Sequence, residues 1–180
     1  VVDNVILSRS GGIQYGYGLR VDNSAVNTSF TIKNNTINNR KSSVYLNGGS
    51  GYIVNDNNFS SSGISTNEPA LYINAVTFSS GKTFYNNIFG GTNFLNGLKL
   101  NNCNNVTIGD STISSAQIEL KLSSNVRNAS SIPVDINAST NINVENLDLS
   151  FTGIATGTGL NISSGSNVKG KNLTISKRVD

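Results

Sequence analysis

The chain has 180 residues, a formal net charge of +3, and only 13% charged and 36% hydrophobic positions. That is one domain's length of chain, lean in apolar residues, and too sparsely charged for a disordered polyelectrolyte or a strongly basic nucleic-acid binder. No run nears the roughly 18 apolar residues of a membrane insertion, no basic-then-apolar segment opens the sequence, and a single cysteine, Cys103, excludes an internal disulfide while leaving the redox compartment open.

Asn, Ser, Thr and Gly dominate the remainder. They form helices poorly because their side chains compete for backbone hydrogen bonds, or because glycine is too free, so the predicted elements are short strands. The first is "VDNVIL", with Val2, Asn4 and Leu7 at offsets of two and five. "GLRVD" follows, with Leu19 and Val21 on either side of Arg20 and a polar Asp22 behind them. "FTIKNNTI" then repeats the opening phrase as Phe30, Ile32, Asn34 and Ile37. From there the two phrases alternate. The second recurs as "SVYLN" at Val44, "ALYIN" at Leu71, "GLKLN" at Leu98, "PVDIN" at Val134 and "GLNIS" at Leu160. The first recurs as "VNDNNF" at Val54, "FYNNIF" at Phe84, "IGDSTI" at Ile108, "VENLDL" at Val144 and "GKNLTI" at Gly170.

The anchors Val2, Ile32, Val54, Phe84, Ile108, Val144 and Gly170 are spaced by 30, 22, 30, 24, 36 and 26 residues. Period-2 alternation broken by Gly, Asn and Ser gives two or three short strands per repeat. A unit of that size cannot bury its apolar face alone, but stacked on its neighbours at about 4.8 Å it builds a continuous core. The residues two past each anchor, Asn4, Asn34, Asp56, Asn86, Asp110, Asn146 and Asn172, form a predicted vertical seam. Asn tolerates the left-handed backbone of a recurring corner, and stacked amides can bond along the axis. A second polar column follows the other phrase at Asp22, Asn47, Asn74, Asn101, Asn137 and Ser163.

"GLKLNNCNNVTIGDSTI" and "GLRVDNSAVNTSFTIKNNTI" resemble the parallel β-helix repeats of the pectate-lyase-like superfamily, and the likeness covers nearly the whole chain. It implies an all-β fold, a right-handed single-stranded parallel β-helix (solenoid) of about six to seven coils. Residues 1–180 would be a single segment, part of a longer protein. Val2 begins mid-phrase and "LTISKRVD" stops soon after a strand, so flanking domains or neighbouring subunits are expected to cover the open ends.

The resemblance leaves activity open, because one fold hosts many functions. Lyases of this superfamily use an exposed Lys or Arg base, an Arg or bound calcium against the uronate, and acidic ligands from neighbouring rungs; its polygalacturonase-like hydrolases use clustered aspartates with a histidine. This chain has no histidine and no adjacent Asp pair. Asp56 and Asp110 are separated by the rung of Asn86, and Glu119, Glu145 and Asp148 fall on other sides or later coils. No calcium cage, cofactor or catalytic residue is therefore expected.

Between the two apolar positions of the second phrase the side chain must face solvent, which gives the line Arg20, Tyr45, Tyr72, Lys99, Asp135 and Asn161. Arg20 to Lys99 would span about 14 Å. Tyrosines flanked by cations can hold a sugar ring and pair with an acidic glycan; plain cross-strand packing on a solvated face is the simpler alternative. A parallel line of Lys33, Asn55, Tyr85, Gly109, Glu145 and Lys171 adds Tyr85 as a further carbohydrate-binding candidate. The excursion from Ser114 to Ser131 could close over a groove, but its "IELKL" alternation favours a third-side strand. Cys103 in "NNCNN" reads as an inert turn residue, and eight Asn-x-Ser/Thr sequons are about what this composition yields by chance. The leading expectation is an extracellular or cell-surface structural or adhesive module whose partner is a polysaccharide or surface glycan. The alternatives are a polysaccharide lyase-like fragment acting on uronates and a purely structural filament or phage-fibre component.

Overall fold

A computed structural model describes residues 1–7, 16–22, 30–38, 42–50, 52–61, 69–77, 84–85, 87–91, 97–109, 116–121, 134–152 and 160–178. Among them the chain is all β, with parallel sheets and no helix. In order, the strands are β1 (Val2–Asp3), β2 (Ile6–Leu7), β3 (Tyr17–Asp22), β4 (Thr31–Lys33), β5 (Thr36–Asn38) and β6 (Ser42–Asn47). Next come β7 (Ile53–Asn55), β8 (Asn58–Ser61), β9 (Leu71–Asn74), β10 (Phe84–Tyr85), β11 (Ile88–Gly91) and β12 (Leu98–Asn101). The last are β13 (Asn104–Gly109), β14 (Ala116–Lys121), β15 (Val134–Asn137), β16 (Thr140–Thr152), β17 (Leu160–Ser163) and β18 (Ser166–Arg178).

Pairing recurs every third strand. One column runs β1-β4-β7-β10-β13-β16 and a second runs β2-β5-β8-β11-β14-β16; β16 joins them into a 12-stranded sheet that also carries β18. The third column, β3-β6-β9-β12-β15-β17, is a separate 6-stranded sheet. Register follows the repeat read from the sequence. Val2 pairs with Ile32, Ile32 with Val54, Val54 with Phe84, Phe84 with Ile108, Ile108 with Val144 and Val144 with Gly170. In the other sheet Leu19, Val44, Leu71, Leu98, Val134 and Leu160 are level in the same way.

That register puts one residue type inside at each level. Ile32, Val54, Ile108 and Val144 share a core with Val44, Leu71, Leu98 and Val134 and with Leu46, Ile73, Leu100 and Ile136, all excluded from water. Each such side chain contributes about 1.5–3 kcal/mol by leaving water. The β9, β12 and β15 strands alternate buried and half-buried positions, the signature of one packed and one open face.

The second column departs from the sequence alignment after β11. Ile113 was the expected neighbour of Phe89, but Phe89 pairs with Leu120 of β14, and Leu120 with Phe151. Leu149, expected at the level of Phe89, pairs with Ile118 instead. The shift from Leu149 to Phe151 is two residues, one full period of strand alternation. "IELKL" is a strand, β14, but it stands in the second column between β11 and β16 and not on a separate third side; most of the rest of the Ser114–Ser131 excursion, like Ile113, lies outside the described residues.

The corners explain the asparagines in two ways. Asn4, Asn34, Asp56 and Asn172 have φ between 52° and 58°, the left-handed region. Asn146 lies in β16 between Glu145 and Leu147, which pair with Lys171 and Leu173, so it stands level with Asn172. Asn86 and Asp110 lie outside the described residues. The continuous buried ladder runs one residue later, through Asn35, Asn57 and Asn87, each at most 2% exposed. Asn57 accepts from the backbone and side-chain N–H groups of Asn35 at 3.0 Å and donates its amide to Asn87 Oδ1 and to Ile32 O at 2.9 Å. Asn35 donates likewise to Val2 O, and Asn87 to Val54 O.

Replacing Asn57 therefore orphans buried groups above and below it, at about 1–3 kcal/mol for each group left unpaired. In urea titrations Asn57→Ala is expected to lose about 3 kcal/mol, and Asn34→Gly, at an exposed left-handed corner, to stay within about 1 kcal/mol of the parent. Equal losses at the two positions would show that the buried ladder does not hold the rungs.

Candidate functional site

The third column carries the outward line expected from the sequence. Arg20 is level with Tyr45, Tyr45 with Tyr72, Tyr72 with Lys99, Lys99 with Asp135, and Asp135 with Asn161. Strand alternation fixes this: the flanking Val44 and Leu46, Leu71 and Ile73, Leu98 and Leu100 are fully buried, so the residue between each pair must face out.

The rings of Tyr45 and Tyr72 meet edge to face, with centroids 5.2 Å apart and planes at 68°. Tyr17, absent from the sequence-based set, adds a third ring 5.0 Å from Tyr45. Counting by alternation sends Tyr17 inward with Leu19 and Val21. It escapes that rule at the start of β3, where Gly16 turns the chain with φ +88° and Gly18 contributes no side chain to the outer face. The Arg20 guanidinium carbon lies 5.4 Å from the Tyr17 ring centre and 5.3 Å from that of Tyr45, and Lys99 Nζ lies 6.0 Å from that of Tyr72.

Both cations also have carboxylate partners. Arg20 Nε donates to Asp22 Oδ2 at 2.5 Å, and Lys99 Nζ sits 3.4 Å from Asp135 Oδ2. Each carboxylate is held a second time by an amide from the next rung: Asn47 donates to Asp22 Oδ1 at 3.2 Å, and Asn161 to Asp135 Oδ1 at 2.8 Å. Asp22 thereby ends a ladder in which Asn74 donates to Asn47, Asn101 to Asn74, Asn137 to Asn101, and the Ser163 hydroxyl to Asn137. These partners hold the Asp22 carboxyl below the usual carboxylate range, Arg20 first and Asn47 second. Burial, with smaller help from Tyr72 and Tyr17, raises the Tyr45 phenol.

Tyr85 is elsewhere. It lies on β10 in the 12-stranded sheet, level with Asn55, and its side chain is outside the described residues. On that same line Lys33 pairs with Asp3 at 3.2 Å, and the expected outward Asn55 is only 7% exposed and donates to Asp56. Cys103 is buried between rungs, its thiol 3.5 Å from Ile73 O, and burial raises its pKa, the opposite of an activated nucleophile. Among the described residues no three of His, Cys, Asp and Glu come together in a group that could hold a metal ion. Compared with protein-family models, curated proteins and solved structures, the chain matches none.

The carboxylates make a prediction about acid. Asp3 is lowered like Asp22, by the Asn34 amide first, against an opposing effect of burial that is second in size, with Lys33 adding to the lowering. A depressed folded-state pKa contributes stability that is present above the unfolded value of 3.8 and lost as pH falls through the lower folded value. The thermal midpoint is expected to fall on acidification below about pH 4, and more shallowly in Asp22→Asn, when melts are followed by circular dichroism. An unchanged acid limb in that variant would show that Asp22 contributes nothing to it.

Proposed function

We propose that the chain is a right-handed, single-stranded parallel β-helix acting as a rigid extracellular or cell-surface module. Its Arg20–Tyr45–Tyr72–Lys99 face contacts carbohydrate, and it has no catalysis of its own. The solenoid reading is supported by strands that repeat in threes, all parallel, with anchors level from Val2 to Gly170. Parallel strands joined by crossovers favour the right hand. The surface setting is part of the same reading, since that is where polysaccharides and surface glycans are met.

One observation carries the ligand. Tyr17, Tyr45 and Tyr72 gather three rings within 5.2 Å steps on the open face of a parallel sheet, held by backbone register rather than by loops. Rings fixed in this way present area to a sugar with little side-chain freedom left to lose on binding. A purely structural ladder is favoured by a different observation: Arg20 and Lys99 already have partners within the face. Binding decides between the two. On a glycan array the parent is expected to bind, and the folded double variant Tyr45→Ala/Tyr72→Ala to lose that signal at least about tenfold. Identical profiles for the two proteins would leave the structural ladder as the function of this face.

A further inference from the structure

The carbohydrate face is chemically biased in a direction that a row of Arg, Tyr, Tyr and Lys does not suggest. Arg20 donates to Asp22 within its own strand, and Lys99 pairs with Asp135 one rung along. Asp22 and Asp135 are each fixed again by Asn47 and Asn161. The four charges cancel, and neither cation is presented alone. We infer that the ligand of this face is a neutral glycan rather than a uronate-containing or sulfated one; the inference rests on the carbohydrate reading above.

The argument is one of competition. An anionic sugar that approaches Arg20 or Lys99 meets a cation already shared with a carboxylate, Asp22 or Asp135, which an amide also holds, and it then lies beside that carboxylate. Like charges brought together at an interface reject a partner as effectively as good contacts recruit one. Asp22 and Asp135 bracket the tyrosines along the column, Asp22 in the strand of Arg20 and Asp135 beyond Lys99, so an anionic chain lying along the rungs meets a carboxylate at both ends. The Tyr45 phenol keeps its proton at neutral pH and adds no charge. What the face presents beside its closed ion pairs is three aromatic rings, with Arg20 over those of Tyr17 and Tyr45 and Lys99 over that of Tyr72. These suit the apolar C–H face and hydroxyl rim of an uncharged pyranose. The same closure removes the free Lys or Arg base that lyase chemistry would need on this face.

The test is calorimetric titration of the whole chain with cellohexaose, maltohexaose and chitohexaose on one side and hexagalacturonate and a sulfated hexasaccharide on the other, at about 50 and 300 mM salt. A neutral hexasaccharide is expected to bind with affinity constant within about twofold across that range, and both anionic ones at least about tenfold more weakly. Asp22→Asn/Asp135→Asn preserves the amide ladders and frees both cations. It is expected to gain hexagalacturonate binding that weakens with salt, with an unchanged circular dichroism spectrum. Preference of the parent chain for either anionic sugar would overturn the neutral-ligand inference and leave the carbohydrate face standing. Failure of every sugar, together with an array on which Tyr45→Ala/Tyr72→Ala matches the parent, would remove both.

Discussion

The rungs from β1 to β11 are held level by the amides of Asn35, Asn57 and Asn87 meeting in the dry interior. A strand fixes its neighbour's register through backbone bonds, but a shift of two residues would restore the same bonding pattern and the same alternation. A buried asparagine does not allow it. Asn57 takes two hydrogen bonds from the rung below and gives amide hydrogens to Ile32 O below and Asn87 Oδ1 above. Any slip would leave several of these groups unpaired away from water, a larger cost than the methylene contacts such a slip would rearrange. The ladder thus sets the level of each rung where it runs, and the apolar anchors fill the space it defines.

The two main ladders point opposite ways. In the buried one each amide donates toward the following rung, from Asn35 to Asn57 to Asn87. In the half-exposed one each donates toward the preceding rung, ending on the carboxylate of Asp22. A chain of aligned amides behaves like a small macrodipole, with its N–H end favouring negative charge. Asp22 occupies that end, and Asp3 receives the Asn34 amide in the same sense. Asp22 and Asp3 are therefore terminators of these amide runs.

Legibility in the sequence followed the same physics. The anchors could be found because each is apolar at a repeated offset, and the outward row could be found because two buried neighbours force the residue between them out. The buried ladder was missed by one position. Counting inward residues forward from Ile32 lands on Asn34, but a left-handed corner resets the alternation, and counting backward from Ile37 lands on Asn35. That second count was available, as was the strict Asn at 35, 57 and 87 beside the mixed Asn and Asp at 34 and 56. The other corner was less visible. Ala75 and Ala138 adopt φ of 54° and 47°, where alanine has no local reason to be. Their N–H groups donate to Asn101 O and Ser163 O at 2.9 Å, so stacked neighbours impose the conformation and no residue-type signal marks it. Tyr17 was hidden for a third reason, because strand parity ceases to bind a side chain at the end of a strand.

A scaffold held in this way separates what must be constant from what can vary. Inward positions of the third column are Val or Leu and then Leu or Ile in every rung from Val44 to Ile136, and the polar column behind them is Asn four times running from Asn47 to Asn137. The outward position between them is Arg, Tyr, Tyr, Lys, Asp and Asn in successive rungs. Nothing in the packing demands that sequence, since a solvated position on a sheet face costs only a few tenths of a kcal/mol to change. Cations there have nonetheless been matched by carboxylates at Asp22 and Asp135, and aromatics placed side by side at Tyr45 and Tyr72. The face is closed on itself in charge, and that closure, more than the presence of aromatic rings, sets its electrostatic character.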